Sequence, residues 1–388
     1  MNKYRVALLM EESREIGRSL LRGIAQYSRI HGPWIFYREV PFYDPLTLSE
    51  RIKRIKEWKP DGIIMREQGQ LDAPLLELGI PAIYSGHRRG IATGIPNILG
   101  DDRQIGTMAA DCLVGKGFRH FGFCGFKNMW WSGDRGRFFA EHLQARGFDV
   151  EFYPHPPGRK QPAWSEEPDF MAEWIKTLPK PCAIFACTDD RCRQLSEACK
   201  RAGIKVPEEV ALLGADNDEL VCEFASPPLS SIVLNAEKTG HDAAAVLHRM
   251  MQGEDVGEIT VSIPAPRVVT RQSTDIMAIE DPLVAQALNY IREHYRKGIT
   301  VDEIAQKIGV SRRVLEIHFR KTMDRSIFEE VLRLRMDHAC VLLTETNLSI
   351  AQVAEALNYE EIKYFSRGFK KVMDISPLAY RKQQSIRD

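Results

Sequence analysis

Over the first two thirds of the chain, short apolar runs alternate with longer stretches in which apolar residues recur at helical spacing. Apolar runs of this length are typical of strands buried in a parallel sheet. We predict seven strands, at residues 4–10, 34–37, 62–65, 82–84, 121–124, 183–187 and 210–213. We predict amphipathic helices at residues 14–30, 103–114, 135–145, 191–202 and 236–251.

This alternation of strands and helices predicts an α/β fold with doubly wound parallel sheets covered by helices on both faces. The number of strands indicates two lobes rather than one. Ligands of such folds bind beyond the carboxyl ends of the strands, so polar residues that follow a predicted strand become the first candidates for a binding site.

The pattern changes near residue 276, after which the strand-like runs disappear and the chain reads as helices with short turns. Residues that break regular structure cluster just before this change, among them Pro264, Pro266, Ser273 and Pro282. The sequence therefore predicts a two-lobed domain over residues 1–275, a linker over 276–281 and an all-α domain over 282–388.

The all-α domain contains an internal repeat, because residues 300–324 and 349–374 follow the same pattern at an offset of 49 positions. Each copy opens with a capping box, Thr300 with Glu303 and Ser349 with Gln352. Each then reaches a residue that tolerates a positive φ, Gly309 or Asn358. We interpret the repeat as two helix-turn-helix motifs, at 300–321 and 349–371.

In a helix-turn-helix motif the second helix enters the major groove of DNA, and basic residues near its end meet phosphates. Leu315 and Phe319 are the predicted core anchors of the first motif, and Phe365 and Phe369 those of the second. Helix 327–343 is expected to join the two motifs rigidly. The residues predicted to face bases are Arg312, Arg313 and Glu316 in the first motif and Glu361, Lys363 and Arg367 in the second, with Arg320, Lys321, Lys370 and Lys371 facing phosphates.

The charge distribution supports this division of the chain. The 53 Lys and Arg balance 53 Asp and Glu over 388 residues, and a neutral chain gives no sign of nucleic-acid binding. Residues 282–388, however, hold 18 basic against 14 acidic side chains, a net charge of +4, which leaves −4 for residues 1–281. The basic part is thus the part that carries the repeat.

The helical domain resembles the DNA-binding domain of the AraC-type transcription activators. The specific stretches are LSIAQVAEALNYEEIKYFSRGFKK at 348–371 and SPLAYR at 376–381. Asn358, Asp324 and Asp374 stand where that family usually has glycine. The resemblance implies that the partner is double-stranded operator DNA.

The front domain resembles the sugar-sensing effector domain of the LacI-type repressors and the periplasmic sugar-binding proteins, mainly over 183–232 and in RVVTRQST at 267–274. It implies a periplasmic-binding-protein-like fold with a monosaccharide bound between the lobes. A sugar pocket needs groups that bond hydroxyls and an aromatic wall for the apolar face. The residues that we predict for these roles are Glu11, Trp131, Arg135, Asp189 and Asp216, with Trp130 as the alternative to Trp131 for the aromatic wall.

Each of these residues also has a structural interpretation. Asp189 and Asp216 are also suited to cap helices, Arg135 to form an ion pair at the hinge, and Trp131 to fill the core. Arg135 is expected to open the helix that follows NMWWSGD, and Glu11 to close the first strand.

An AraC-type domain behind a LacI-type sensor implies a regulator in which the sugar closes the lobes and so repositions the DNA-binding domains of a homodimer. We expect D-xylose as effector, activation of pentose catabolic genes and RNA polymerase as a partner. The alternative is a regulator of the same architecture for arabinose or a uronate.

An enzyme is the competing class, because doubly wound folds host many reactions. The sequence lacks a P-loop, a GxGxxG motif after the first strand, a GxSxG elbow and an HExxH motif. The carboxylate pairs Asp101/Asp102 and Asp189/Asp190 are expected to point apart on extended backbone. The eight cysteines lack CxxC spacing, so we interpret them as buried, reduced thiols rather than a metal or redox site. With no signal peptide or apolar span, a cytoplasmic protein with no cofactor, no metal and no membrane contact is expected.

Overall fold

A computed structural model describes residues 3–39, 46–66, 72–85, 94–155, 166–276, 281–323 and 325–384. The chain forms two α/β lobes followed by a helical domain, which confirms the predicted fold class. The predicted linker lies largely outside the described residues, which stop at 276 and resume at 281.

The first lobe is built on a six-stranded, all-parallel sheet in the order β11-β5-β4-β3-β1-β2. Its interior strands β1, β3 and β4 are almost wholly apolar and buried, as expected for strands covered on both faces. The strands are β1 (Arg5–Leu9), β2 (Ile35–Arg38), β3 (Gly62–Arg66), β4 (Ala82–Ser85), β5 (Asn97–Gly100) and β11 (Thr260–Ile263). The helices are α1 (Glu15–His31), α2 (Leu48–Trp58), α3 (Asp72–Leu76) and α9 (Ala236–Met251), of which α1 and α9 pack against each other.

The second lobe has a six-stranded sheet in the order β12-β10-β9-β8-β6-β7, parallel except for the pair formed by β10 and β12. The strands are β6 (His120–Cys124), β7 (Val150–Phe152), β8 (Cys182–Ala186), β9 (Val210–Asp216), β10 (Ser230–Val233) and β12 (Arg267–Val269). The helices are α4 (Asp102–Gly115), α5 (Trp130–Gln144), α6 (Glu167–Thr177), α7 (Asp189–Ala202) and α8 (Glu219–Phe224).

The chain passes between the two lobes at three places in the described residues, at 100–102, 233–236 and 263–267. These crossovers run side by side, since the backbone N–H of Asp101 donates to the carbonyl of Ile263 and that of Asn235 to the carbonyl of Pro264. Such a bundle of strands is the place where one lobe can bend against the other.

The helical domain consists of α10 (Pro282–His294), α11 (Val301–Ile308), α12 (Arg312–Met323), α13 (Ile327–Glu345), α14 (Ile350–Ala356), α15 (Ile362–Met373) and α16 (Pro377–Gln384). It has two separate hydrophobic cores, one around Phe319 and one around Phe365 and Phe369. Helix α13 contributes to both cores: Ile327 and Val331 belong to the first, Met336 and Leu343 to the second. The long helix therefore joins the two units, as predicted.

All seven predicted strands are present, but the pattern missed five short ones at sheet edges or crossovers, β5, β7, β10, β11 and β12. The predicted start of α5 is wrong. That helix begins at Trp130, so Arg135 lies in its second turn and both tryptophans lie within it. Helix α5 packs closely on α4, because a Cβ added at Gly106 of α4 would lie 2.7 Å from the carbonyl oxygen of Arg135 and 2.8 Å from the backbone nitrogen of Phe139.

Candidate functional site

The carboxyl ends of the central strands of both lobes meet across a cleft, and charged side chains from each lobe pair across it. Arg14, just before α1, forms an ion pair with Asp190 at the start of α7. Arg18 lies 3.2 Å from Asp218, and the backbone N–H of Glu15 donates to the same carboxylate at 2.9 Å. Both contacts join the first lobe to the second at the edge where parallel sheets bind ligands.

Asp216, the last residue of β9, and Arg135 form the centre of the second lobe's side. The Arg135 guanidinium donates to Asp102 at 3.0 Å and to the carbonyl of Cys187 at 2.5 Å, and lies 3.5 Å from Asp216. Burial opposes its charge, yet Asp216 and Asp102 hold the pKa of Arg135 above its usual value. Burial raises the pKa of Asp216 to about 6, although Arg135 and Arg14 favour its charged form.

Glu11 and Arg66 form the corresponding pair on the first lobe. A guanidinium nitrogen of Arg66, at the end of β3, lies 3.1 Å from the Glu11 carboxylate, which follows β1. Burial lowers the pKa of Arg66, against the charge of Glu11. Burial also opposes the charge of Glu11, but a hydrogen bond from Ser13 and the charges of Arg66 and Arg14 lower its pKa. The two lobes thus present ionised acceptors and donors to the same space.

Asp189 lies deeper than the other predicted ligand residues, with 1% of its surface exposed. Its carboxylate accepts from the hydroxyl of Ser231 at 2.5 Å and from the backbone N–H of Asp218 at 2.8 Å. Burial and the neighbouring charge of Asp216 raise its pKa. The helix cap of α7 is Thr188 rather than Asp189. These contacts position the Asp216–Asp218 turn, and a direct contact of Asp189 with sugar stays a prediction.

Trp131 is half-buried against the core shared by the two lobes. Its ring lies 5.0 Å from the Arg135 guanidinium and 6.1 Å from the ring of Phe126. The side chain therefore stabilises the position of Arg135 by a cation–π contact. Its predicted role as a wall for the sugar stays a prediction.

Five charged residues at the cleft were missed by the sequence analysis: Arg14, Arg18, Arg66, Asp190 and Asp218. Arg66 directly follows the predicted strand at 62–65. Arg14 lies just before α1 and Asp190 in the first turn of α7, and both helices follow predicted strands. The rule that polar residues after a predicted strand are binding-site candidates selected Glu11 and Asp216, and it applies equally to Arg14, Arg66 and Asp190.

The carboxylate pairs were expected on extended backbone, and this expectation is wrong. Asp102 is the first residue of α4, with Asp101 as its cap, and Asp189 and Asp190 form the first turn of α7. Their side chains still take different partners: Asp101 accepts from the N–H of Gln104, whereas Asp102 pairs with Arg135.

Seven of the eight cysteines are buried and the eighth, Cys112, is half-buried, and all eight are free thiols. Burial raises the pKa of Cys187 to about 11 and that of Cys199 to about 12, so both thiols stay protonated. Among the described residues, no three His, Cys, Asp or Glu side chains group as a metal site would require.

Both predicted helix-turn-helix motifs are present. The two capping boxes form with both reciprocal hydrogen bonds, and Gly309 closes α11 at a φ of 81°. The four predicted anchors, Leu315, Phe319, Phe365 and Phe369, are fully buried. In the second motif Asn358 occupies the left-handed region at a φ of 56°. Its side chain also donates to the carbonyl of Lys297 at 3.2 Å, a link between the two units that glycine would not provide.

All ten residues predicted to contact DNA are exposed on α12, α15 or the residue before α15. Four of the six predicted base-facing side chains are already paired with one another: Arg312 lies 2.8 Å from Glu316, and it also lies 3.0 Å from Asp302. Lys363 pairs likewise with Glu361 at 2.7 Å. Contact of Arg312 or Lys363 with a base edge would therefore replace a charged partner by an uncharged one, which favours specificity over raw affinity.

The basic ends of the two recognition helices influence one carboxylate. Hydrogen bonds from Ser326 lower the pKa of Glu329, at the start of α13, and the charges of Arg320 and Lys371 lower it further. Arg320 belongs to the first recognition helix and Lys371 to the second. The basic ends of both helices thus lie close enough to Glu329 to act on the same carboxylate.

Comparison with protein families gives two matches on this chain. Residues 110–274 match the periplasmic binding protein-like domain, and residues 304–383 match the helix-turn-helix domain. No helix in the described residues combines the length and apolar character needed to span a bilayer.

Relatives match along nearly the whole chain. The xylose operon regulatory protein of Escherichia coli K12 is 30% identical over 98% of this chain and 97% of its own length. The protein of the same name from Haemophilus influenzae is 31% identical over 97% and 98%. The solved structure described as the xylose-binding transcription activator xylR has a TM-score of 0.62 and 28% identity, and covers 99% of each chain.

Proposed function

Because the chain belongs to the family of xylose operon regulatory proteins, we propose that its effector is D-xylose and that it activates pentose catabolic genes. As a member of that family it is a ligand-responsive, DNA-binding transcription regulator, not an enzyme. The proposal concerns the identity of the sugar, the residues that bind it and the direction of regulation.

The observation that supports the sugar assignment most is the charged cleft. A pyranose offers hydroxyls that both donate and accept, so carboxylates and guanidinium groups held in fixed positions suit it. Asp216, Arg135 and Glu11 supply these groups, and we add Arg66 and Arg14 to the set proposed from sequence. We retain Trp131 and Asp189 as proposed members of the pocket.

Isothermal titration calorimetry of the full chain against D-xylose, L-arabinose and D-galacturonate tests the assignment. We expect D-xylose to bind most tightly, and the dissociation constants of the other two sugars to be at least about tenfold higher. One or two misplaced hydroxyl contacts have an effect of this size. Stronger binding of arabinose or the uronate would establish the alternative regulator. Binding of none of them would end the sugar assignment.

The raised pKa of Asp216 makes sugar binding depend on pH. The ionised carboxylate is the stronger acceptor, and with a pKa of about 6 it is mostly protonated at pH 5. We expect D-xylose affinity to fall by about tenfold between pH 7.5 and pH 5, measured by calorimetry. An Asp216→Asn variant should lose this dependence, and an unchanged affinity at pH 5 in the wild type would contradict it.

The raised pKa of Asp216 also makes the free energy of unfolding depend on pH. The folded chain holds the Asp216 proton more tightly than the unfolded chain, whose aspartates titrate near pH 4. The contribution of this group to the free energy of unfolding is therefore greatest at low pH and is lost as the pH rises from about 4 to about 6.

We propose that the protein acts as a homodimer and recruits RNA polymerase. Leu220 and Phe224 lie one turn apart on α8, at 63% and 85% exposure. Large apolar side chains this exposed are typical of protein contacts. Analytical ultracentrifugation of the wild type and a Leu220→Glu variant tests the dimer.

We further propose that the chain is divided into a sensor at 1–275, a linker at 276–281 and a DNA-binding domain at 282–388.

The proposed phosphate contacts predict how DNA binding depends on salt. Each lysine that neutralises one phosphate contributes about 0.9 to the slope of log affinity against log salt concentration. We expect Lys370→Gln and Lys371→Gln each to reduce the slope by about one and to weaken binding to all sequences alike. Fluorescence anisotropy over a salt series measures both effects.

The matched control is Lys53→Gln, an exposed lysine on α2 of the first lobe whose ammonium lies 3.8 Å from Glu57. It removes the same charge from the chain at a position far from the repeat. An equal loss of slope in this control would show that total charge, not phosphate contact, sets the salt dependence.

A further inference from the structure

In the described residues, hydrogen bonds join the DNA-binding domain to the sensor at two separate places, and Arg292 of α10 also lies 3.8 Å from Asp275. At the first, the Arg325 guanidinium, just after α12, donates to the carbonyl of Gly115 at 3.2 Å. Arg119 donates to the carbonyl of Thr322 on α12 at 3.1 Å. Both bonds join the end of the first recognition helix to the residues at and after the end of α4. The first unit is thus held on the body of the second lobe.

At the second place, the hydroxyl of Tyr380, on α16, donates to the carbonyl of Pro266 at 3.1 Å. Pro266 lies in the crossover at 263–267, between β11 of the first lobe and β12 of the second. The Tyr380 ring packs edge-on against Phe369 of the second recognition helix, with ring centres 5.4 Å apart. A hinge strand of the sensor and a DNA-reading helix therefore meet on one side chain.

The surroundings of Tyr380 keep its hydroxyl protonated and hold it in place as a hydrogen-bond donor. Burial raises the pKa of Tyr380, so the hydroxyl keeps its proton. The thiol of Cys340, on α13, lies within hydrogen-bonding reach of the same oxygen. Buried tyrosines usually satisfy their hydroxyl in this way, and the ring holds the bond direction.

The two sensor residues that hold the DNA-binding domain, Gly115 and Pro266, would move differently when the angle between the lobes changes. Gly115 ends α4, a helix about 21 Å long that moves as part of the second lobe. Pro266 lies on one of the crossovers that must bend when the lobes close. Closure of the lobes would therefore move Pro266, which holds the second helix-turn-helix unit, relative to Gly115, which holds the first.

We propose that Tyr380 is a positioning residue that couples bending of the sensor's hinge to the second helix-turn-helix unit, while Arg325 keeps the first unit on the second lobe. The direction of the effect on operator binding rests on the proposed function, but the mechanical link does not. A ligand that changes the hinge angle then changes the relative placement of the two recognition helices, and this gives the sugar differential affinity for the DNA-bound state.

The variant Tyr380→Phe tests this link because it removes the hydroxyl and keeps the ring against Phe369. We expect D-xylose affinity without DNA to stay at the wild-type value. The ratio of operator affinities with and without D-xylose should move towards one by about two- to tenfold, the effect of one hydrogen bond. By reciprocity, the effect of operator DNA on D-xylose affinity should shrink by the same factor. Calorimetry and fluorescence anisotropy give the four dissociation constants.

A second measurement does not depend on the sugar. Hydrogen exchange at the backbone amides of Ala265 and Arg267 reports on the crossover, with and without DNA selected by the protein from a random-sequence pool. We expect DNA to change this exchange in the wild type and to change it less in Tyr380→Phe. If calorimetry fails with D-xylose but this result holds, the sugar assignment fails and the coupling stands.

The control is Tyr295→Phe, because the Tyr295 hydroxyl also lies on the helical domain but contacts Arg296 rather than the sensor. It should keep the wild-type sugar response and exchange. A purely structural role for Tyr380 would lower the melting temperature and weaken operator binding equally with and without sugar. That outcome, or an unchanged response in Tyr380→Phe, would overturn the proposal.

Discussion

Replacing Arg135 by leucine is expected to lower the free energy of unfolding by about 3 to 5 kcal/mol, the cost of breaking a buried ion pair from one side. Arg135 is 5% exposed and its guanidinium is shared between Asp102, Asp216 and the carbonyl of Cys187. Its removal leaves two buried carboxylates without their cation. Burial already raises the pKa of Asp102, and loss of the Arg135 charge, which favours the ionised form, would raise it further. Urea unfolding followed by circular dichroism measures the loss.

Arg137→Leu is the matched control, because Arg137 lies two residues away on the same helix and points to solvent. Its guanidinium pairs at 3.0 Å with both Asp134 and Glu141, but at about half exposure. Exposed ion pairs contribute about 0 to 1 kcal/mol, so the control should stay near the wild type. Similar losses in the two variants would mean that helix propensity, rather than the buried charges, determines the stability.

The second large effect is expected in sugar binding. Asp216→Asn should weaken D-xylose binding by about tenfold to a hundredfold, because a hydrogen bond to a charged group contributes about 1.5 to 3 kcal/mol. The same change should not destabilise the chain. Burial disfavours the charge on Asp216, and asparagine tolerates the positive φ of 107° that this residue adopts. Calorimetry and urea unfolding together separate the two effects.

Asp242→Asn provides the comparison for this variant. Asp242 is an exposed carboxylate on α9 that pairs with Lys238 at 2.7 Å, away from the cleft. It should bind D-xylose as the wild type does. If Asp216→Asn also bound with wild-type affinity, Asp216 would serve the interlobe structure only, and the pocket would lie elsewhere in the cleft.

The fold could be predicted from the sequence wherever apolar runs are long or motifs repeat. Strands β1, β3, β8 and β9 are buried on both faces, so their sequences are nearly pure apolar runs. Strands β10 and β12 escaped notice because their short sequences mix serine, arginine and valine. Their hydrogen-bond partners come from distant parts of the chain, and no local pattern contains that information.

The cleft was predicted only in part for a similar reason. Asp216 and Glu11 follow strands, so the strand-end rule found them. The pairing of Arg14 with Asp190 requires the angle between the lobes, and no spacing along the chain specifies it. The start of α5 was misplaced because WWSGD reads as a loop, whereas tight packing on α4 extends the helix through it. Tertiary contacts overrode the local preference there.

The three crossovers also determine the order in which the chain can fold as it is synthesised. One edge of strand β5 remains unpaired until its neighbour β11 is synthesised some 160 residues later. One edge of β10 likewise remains unpaired until β12 is synthesised. The first lobe can therefore complete its sheet only after residue 263 has left the ribosome, and the second lobe only after residue 269. A chain cut short within the sensor would expose strand edges, which template aggregation. Fragments that end before β12 are thus expected to be poor substitutes for the intact sensor, and truncations should be made after it.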